Sequence, residues 1–313
     1  MGISPIFGPV VLGWALGSND AANVFGTAVA SRMVSRRLAI AVTASMVIVG
    51  AIVGGYPAMG TIGGLTGQTA ASALLTTLSA AATILLINRL RLPASASQAV
   101  VGATVGSALL RGVPIAEATL GKIVLVWVGT PIGAALVAIL LHRVGAKLLR
   151  AWGPNLVWWS VVIQYSLVAA GAYGAYALGA NNVANVVGAF AGVEPFADRH
   201  FLLALAGGMS IALGVLAFSR EVMDTVGRRL VAMDGFSALV AVLAQALTVH
   251  IYALLGVPVS SAQAIVGAVL GIGLARGVRT ISFRTLGRVV LGWLVAPAFA
   301  GAVSFAAGYV FLQ

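Results

Sequence analysis

One carboxylate, Asp20, stands in an apolar stretch far from any charged loop, between Asn19 and Asn23 in the run LGSNDAANVFG that starts at Leu16. A carboxylate at membrane depth needs a cation or a dense set of donors to hold it. Carboxylate and amide oxygens are hard ligands that suit Na+ or another hard cation, and a proton is the competing occupant of a carboxylate. The frame recurs as LGANNVANVVG from Leu178, which puts Asn181, Asn182 and Asn185 at the matching places, with 7 of 11 positions identical. An Asp that caps a helix starting at Ala21 would account for one copy without any ligand, but recurrence favours a site. The second frame is neutral at Asn182, whose amide can ligate Na+ but cannot carry a proton. The charge-coupled site is therefore expected in the first half.

A second pair of segments carries hydroxyls. Pro93 to Val113 (PASASQAVVGATVGSALLRGV) aligns with Pro258 to Val278 (PVSSAQAIVGAVLGIGLARGV) at 12 of 21 positions. Proline disfavours helix in the residue before it, so a helix is expected to begin just after each. Ser95, Ser97 and Gln98, and Ser260, Ser261 and Gln263, then lie at helix N-termini, where free N–H groups and a partial positive charge suit an anion. Ordinary N-capping and serine-mediated packing is the plainer alternative.

These motifs need elements to hold them at depth. Of 313 residues, 60% are hydrophobic and 8% charged, against roughly 25% charged in a soluble domain. With 39 glycines for close helix packing, the composition specifies an all-α polytopic membrane protein. Apolar segments lie near 3–30, 38–56, 68–87, 93–110 and 119–141, and again near 156–190, 201–217, 235–256, 258–275 and 285–311. The first and sixth are long for one simple span, and their helices are expected to break at the Gly-Asn motifs. Segments 68–87 with 93–110, and 235–256 with 258–275, read equally as two full spans or as one re-entrant hairpin.

Basic loops alternate with uncharged ones. Arg32, Arg36 and Arg37, then Arg89 and Arg91, then Arg143, Lys147 and Arg150 contrast with the uncharged 57–67 connection. In the second half Arg220, Arg228, Arg229, Arg276, Arg279, Arg284 and Arg288 contrast with Gly256 and Val257. The positive-inside rule then puts both termini outside a cell membrane. About five segments per half is an odd number, so the duplicated halves, 1–150 and 151–313, enter in opposite senses as inverted-topology repeats. The net charge of +11 fits basic loops on anionic lipid better than a nucleic-acid partner. No cysteine is present, which excludes thiol chemistry. His142 and His200 read as interfacial, while His250, Gln68, Gln164 and Gln245 read as hydrogen-bonding glue within the bundle. Trp152, Trp158 and Trp159 read as an interfacial belt.

The two Gly-Asn frames resemble the Gly-x-Asn-Asp-x-x-Asn signature of inorganic phosphate transporters. PASASQ from Pro93 and PVSSAQ from Pro258 resemble the Pro-Val-Ser-Thr-Thr-His elements of the same family. The resemblance covers essentially the whole chain. It implies an all-helical inverted repeat with hairpins meeting at mid-membrane, which imports phosphate with Na+ or H+. It makes Asp20, Asn23 and Asn185 cation ligands and Ser95 and Ser260 anion ligands. The chain departs from the pattern at Asn182, where the family has Asp. It departs again at Ala96 and Ala262, where the family has hydroxyls, and at Gln98 and Gln263, where it has His. Related sulfate permeases keep sulfate open as the anion.

The leading reading is a phosphate symporter with Na+ or H+ as coupling ion, no cofactor, and a homodimer open as its assembly. An intramembrane enzyme would need a nucleophile with a base, or a metal cluster. The chain has no Cys, no clustered His and no Glu inside a span. A passive channel would not need paired, inverted motifs.

Overall fold

The computed structural model describes residues 5–30, 32–89, 95–153, 155–229, 234–277 and 283–312. Pro93, Arg91 and Arg279 fall outside these residues. Among the described residues there are 11 α-helices: α1 (Phe7–Ala30), α2 (Arg36–Gly54), α3 (Tyr56–Gly63), α4 (Ala70–Arg89), α5 (Ala96–Arg111), α6 (Glu117–Trp152), α7 (Leu156–Val187), α8 (His200–Arg229), α9 (Gly235–Leu254), α10 (Ser261–Ala275) and α11 (Phe283–Phe311). Seven of them, α2, α4, α6, α7, α8, α9 and α11, are long and apolar enough to cross a membrane. Leu125, Val128, Ile132, Leu136 and Leu140 on α6 are each more than half exposed. Such a stripe suits lipid and would be costly in water. This is a multi-pass membrane protein.

Side-chain oxygens start several of the helices. Ser35, Ser95, Asn155, Asp234 and Ser260 each accept from the backbone N–H three residues on, at the head of α2, α5, α7, α9 and α10. This is the capping geometry expected of these residue types. The α6–α7 connection pairs Gly153, at φ 56°, with the Asn155 cap.

The helices pack reciprocally. α1 lies on α8, and α2 on α7; α5 lies on α11, and α10 on α6. Glycines set these close approaches. A Cβ on Gly102 of α5 would overlap the Pro297 backbone of α11, and one on Gly267 of α10 would overlap the Pro131 backbone of α6. Each of these four principal pairings has a counterpart in which the roles of the halves are exchanged. Uncharged connections gather at one end of the bundle. Thr66 bridges Ile115, and the Thr61 hydroxyl donates to the Gly256 carbonyl. At the other end Met33 packs on Gly235, and Arg276 pairs with Asp234 at 2.8 Å.

Three expectations need correction. No break occurs at the polar residues of the Gly-Asn motifs: α1 runs through its motif unbroken, and α7 runs through Asn181, Asn182 and Asn185 and ends only at Val187, where Gly188 begins a 3-10 turn. Gly17 and Gly179 face the backbones of Ile211 and Val47, so they serve close packing, and the polar side chains find partners across the helix interface instead of disrupting their own backbone. The 57–67 connection contains α3, whose Pro57 suits a first helical turn. The helix expected to end at 141 continues to Trp152, because Arg143, Lys147 and Arg150 extend a helical face beyond the apolar stretch.

Candidate functional site

Asp20 lies on α1 with only 5% of its surface exposed. Asn182 Nδ2 on α7 donates to its Oδ2 at 2.7 Å, and Ser261 Oγ on α10 donates to the same oxygen at 3.1 Å. Asn23 Nδ2, one helical turn along α1, donates to Oδ1 at 3.4 Å. Three elements thus converge on one carboxylate, and every donor is neutral. Among the described residues the ion pair is Arg276–Asp234, at the end of the bundle. A buried carboxylate with neutral donors alone keeps a strong demand for a cation.

The second motif is organised around the first. Asn181 is fully buried, and its Oδ1 accepts the Val259 N–H at 2.8 Å. Its Nδ2 donates to the Val259 carbonyl at 2.8 Å and to Asn182 Oδ1 at 2.9 Å. The two contacts to Val259 fix which way the amide points. They leave Asn182 Oδ1 as an acceptor and so aim Asn182 Nδ2 at Asp20. Asn185 Nδ2 also donates to Asn182 Oδ1, at 3.3 Å, while Asn185 Oδ1 is buried with no partner. The relay runs from the segment before α10, through α7, to the carboxylate on α1.

The serine segments divide. Ser260 caps α10 and accepts from the Gln263 N–H at 3.3 Å, next to the Ser261 that reaches Asp20. Ser95 caps α5, accepts from the Gln98 N–H at 3.5 Å and lies 3.3 Å from the Ser97 hydroxyl. All four serines are buried, as are Gln98 and Gln263, whose Oε1 atoms have no partner. The structure therefore joins Asp20, Asn23, Asn181, Asn182, Asn185 and Ser261 in one network. Asn19 is half-buried beside that network. Ser95, Ser97, Gln98, Ser260 and Gln263 stand at two helix starts, of which only the α10 start reaches Asp20. The unpartnered buried oxygen of Asn185, within that network, and the carboxylate are hard donors of a kind that fits an alkali cation.

Sequence reasoning missed the Val259 backbone, because a main-chain partner leaves no signature in residue type. His250 receives or gives a 2.8 Å hydrogen bond with Tyr173 and stacks edge-on against Tyr173 and Tyr176. Gln68 accepts from Ser72 at 2.6 Å and from Arg111 at 3.4 Å. Both act as bundle glue. Gln164 is exposed, and Gln245 is buried with an unpartnered Oε1.

The phosphate transporter family model matches residues 16–163 and 158–304, which include both Gly-Asn motifs and both serine segments. The chain belongs to the phosphate transporter family. It is a transporter and not an enzyme. A predicted phosphate permease of Methanocaldococcus jannaschii is 28% identical, with 93% of this chain and 91% of that protein covered. One from Pyrococcus horikoshii is 26% identical over 96% of this chain and 94% of its own. The fold superposes on a solved structure, the sodium-dependent phosphate transporter, with a TM-score of 0.85 at 24% identity, covering 98% of each chain.

Proposed function

We propose that this phosphate transporter family member imports inorganic phosphate by symport with Na+, with Asp20 as the charged cation ligand. The observation that carries the reading is the buried Asp20 carboxylate, held by neutral donors alone and linked by the Ser261 hydroxyl to the start of α10. An anion at that helix start would sit one hydroxyl away from an uncompensated carboxylate. A cation on Asp20 removes the repulsion, so cation binding favours anion binding and the reverse holds by linkage. The amide, hydroxyl and carboxylate oxygens of the network suit Na+, and the sodium-dependent structural neighbour agrees with that choice.

The reciprocal packing supports an inverted repeat of 1–150 and 151–313, and the alternation of basic and uncharged loops supports both termini outside. α5 has 16 residues and α10 has 15, which reach about 24 Å and 22 Å at 1.5 Å per residue. Both fall short of a hydrocarbon core of about 30 Å, which supports re-entrant hairpins α4–α5 and α9–α10 with buried serine tips. Asn23 and Asn185 are assigned to the cation with Asp20, and Ser95, Ser97, Ser260 and Ser261 to the anion. Asn181 and Asn182, whose amide nitrogens and oxygens are all engaged, are assigned positioning roles in place of the ligand roles expected from their motif.

Uptake of labelled phosphate into proteoliposomes tests this reading. An inward Na+ gradient should drive phosphate accumulation, and excess sulfate should compete weakly. Accumulation that follows a pH gradient and ignores replacement of Na+ by K+ would transfer the coupling to H+.

A further inference from the structure

At the basic end of the bundle, a cavity of about 550 Å³ opens between the foot of α6, the start of α9 and the end of α10. Arg143, Lys147 and Arg150 line it from α6, together with His142, and Phe236 and Ala275 close it from α9 and α10. The three basic residues follow an i, i+4, i+7 spacing, which stacks them on one helix face. Like charges so placed repel one another unless an anion lies among them. None of the lining residues is acidic. The nearest carboxylate by chain position, Asp234, is already engaged by Arg276 at 2.8 Å and by the Ser237 N–H at 2.8 Å.

The cavity's level is set by independent features. α6 has 36 residues, whereas about 20 suffice to cross the hydrocarbon core, so its last turns stand at the headgroup layer. Trp152 and Trp158 are 59% and 64% exposed just beyond the cavity, as indoles at a membrane interface are. The walls are apolar: Ala146, Leu149, Ala275 and Phe236, the last packed against His142 at a ring separation of 5.4 Å. Val144 and Leu148, on the adjoining surface of α6, are 47% and 65% exposed and continue that apolar surface toward the acyl chains. Free phosphate has no use for such walls, but a phosphate ester that trails two hydrocarbon chains does.

We propose that this cavity is a binding site for the phosphodiester headgroup of an anionic phospholipid, clasped by Arg143, Lys147 and Arg150. A lipid there braces α6 against the feet of α9 and α10. α10 carries Ser261 to Asp20 at its other end, so the bound lipid also steadies the hairpin that reaches the transport site. The assignment does not depend on which cation drives transport.

The test uses the full-length protein in phosphatidylcholine nanodiscs, with phosphatidylglycerol added and bound lipid counted by native mass spectrometry. Arg143→Gln with Lys147→Gln should weaken phosphatidylglycerol retention at least about tenfold. Arg37→Gln with Arg89→Gln, which removes the same charge elsewhere, should leave it within about twofold. Thermal unfolding should shift upward with phosphatidylglycerol in wild type and in the Arg37/Arg89 variant but not in the Arg143/Lys147 variant. Equal loss in both variants would reduce the effect to diffuse surface attraction and overturn the site. Displacement of the lipid by equimolar inorganic phosphate would assign the cavity to the free anion instead. Failure of wild type to retain phosphatidylglycerol over phosphatidylcholine would also overturn the proposal.

Discussion

Asn182 donates to Asp20 at 2.7 Å across a separation of 162 residues, and 162 is the offset between the two Gly-Asn motifs. Each residue therefore touches its own counterpart in the other half. Under the proposed inverted repeat, two equivalent positions meet only where the axis relating the halves passes between them, which would put this pair on that axis. Two carboxylates at that distance would repel strongly and could not both ionise without a cation between them. The amide at 182 resolves the conflict by donating a hydrogen bond where a second charge would otherwise require an ion.

Replacing Asn182 by Asp should therefore raise the demand for cations at this pair. The variant should show at least several-fold tighter Na+ dependence of phosphate uptake at neutral pH, or a steeper one. It should also move a different net charge per cycle in electrical recordings on solid-supported membranes. Unchanged Na+ dependence and unchanged charge movement would place the cation elsewhere.

Asn181 is expected to act through others. Asn181→Ala leaves the buried Val259 N–H and carbonyl without partners, each costing on the order of 1–3 kcal/mol, and frees the Asn182 amide to turn. Asn181→Asp keeps an acceptor for the Val259 N–H but loses both donated bonds. We expect both variants to lower kcat and to weaken the mutual enhancement of Na+ and phosphate binding, more than either isolated affinity. Isothermal titration of each ligand with and without the other measures this directly. Intact mutual enhancement in Asn181→Asp would remove the positioning role.

For the serines, capping and anion binding must be separated. Ser95→Ala and Ser260→Ala each lose a cap worth about 1 kcal/mol of stability and are expected to raise the phosphate KM several-fold. Ser260→Asp restores a good cap but puts a carboxylate where the anion would lie. Its Tm should recover while phosphate uptake stays lost. Recovery of both would leave Ser260 with a purely structural part.

Much of this was legible in the sequence, for physical reasons. Composition and span length dictate helices in lipid, and each expected segment corresponds to one of α1, α2 and α4 to α11, although α6 and α8 run well past their expected ends. Duplication was visible because 7 of 11 and 12 of 21 motif positions are identical. The break expected at Gly17 and Gly179 was misread because glycine serves close packing as well as kinking; only the neighbouring Ile211 and Val47 backbones distinguish the two. Equally hidden was the unequal standing of the asparagines. Asn181, Asn182 and Asn185 look alike in the motif, yet one clamps a backbone, one faces a carboxylate, and one keeps a free oxygen. Partners distant in the chain decide that, and residue type does not encode them.

The glycine contacts give a stability prediction. Gly102→Ala and Gly267→Ala would each drive a methyl into a proline-bearing backbone on α11 or α6. Overpacking of this kind costs about 1–3 kcal/mol. Each variant should lower the Tm in detergent by several degrees, by similar amounts given their matching environments. Gly121→Ala, whose Cβ would meet open space, should not.

The central claim is that the Asp20 carboxylate couples Na+ to phosphate, and simultaneous flux of labelled Na+ and labelled phosphate in proteoliposomes tests it most directly. Asp20→Asn keeps the size of the side chain and removes its charge. Wild type should take up both ions together, each flux depending on the other. The Asp20→Asn variant, if properly folded by its thermal unfolding profile, should lose Na+-driven phosphate accumulation by at least about tenfold, a barrier change of about 1.4 kcal/mol or more. Wild-type accumulation with wild-type Na+ dependence in that variant would contradict the account.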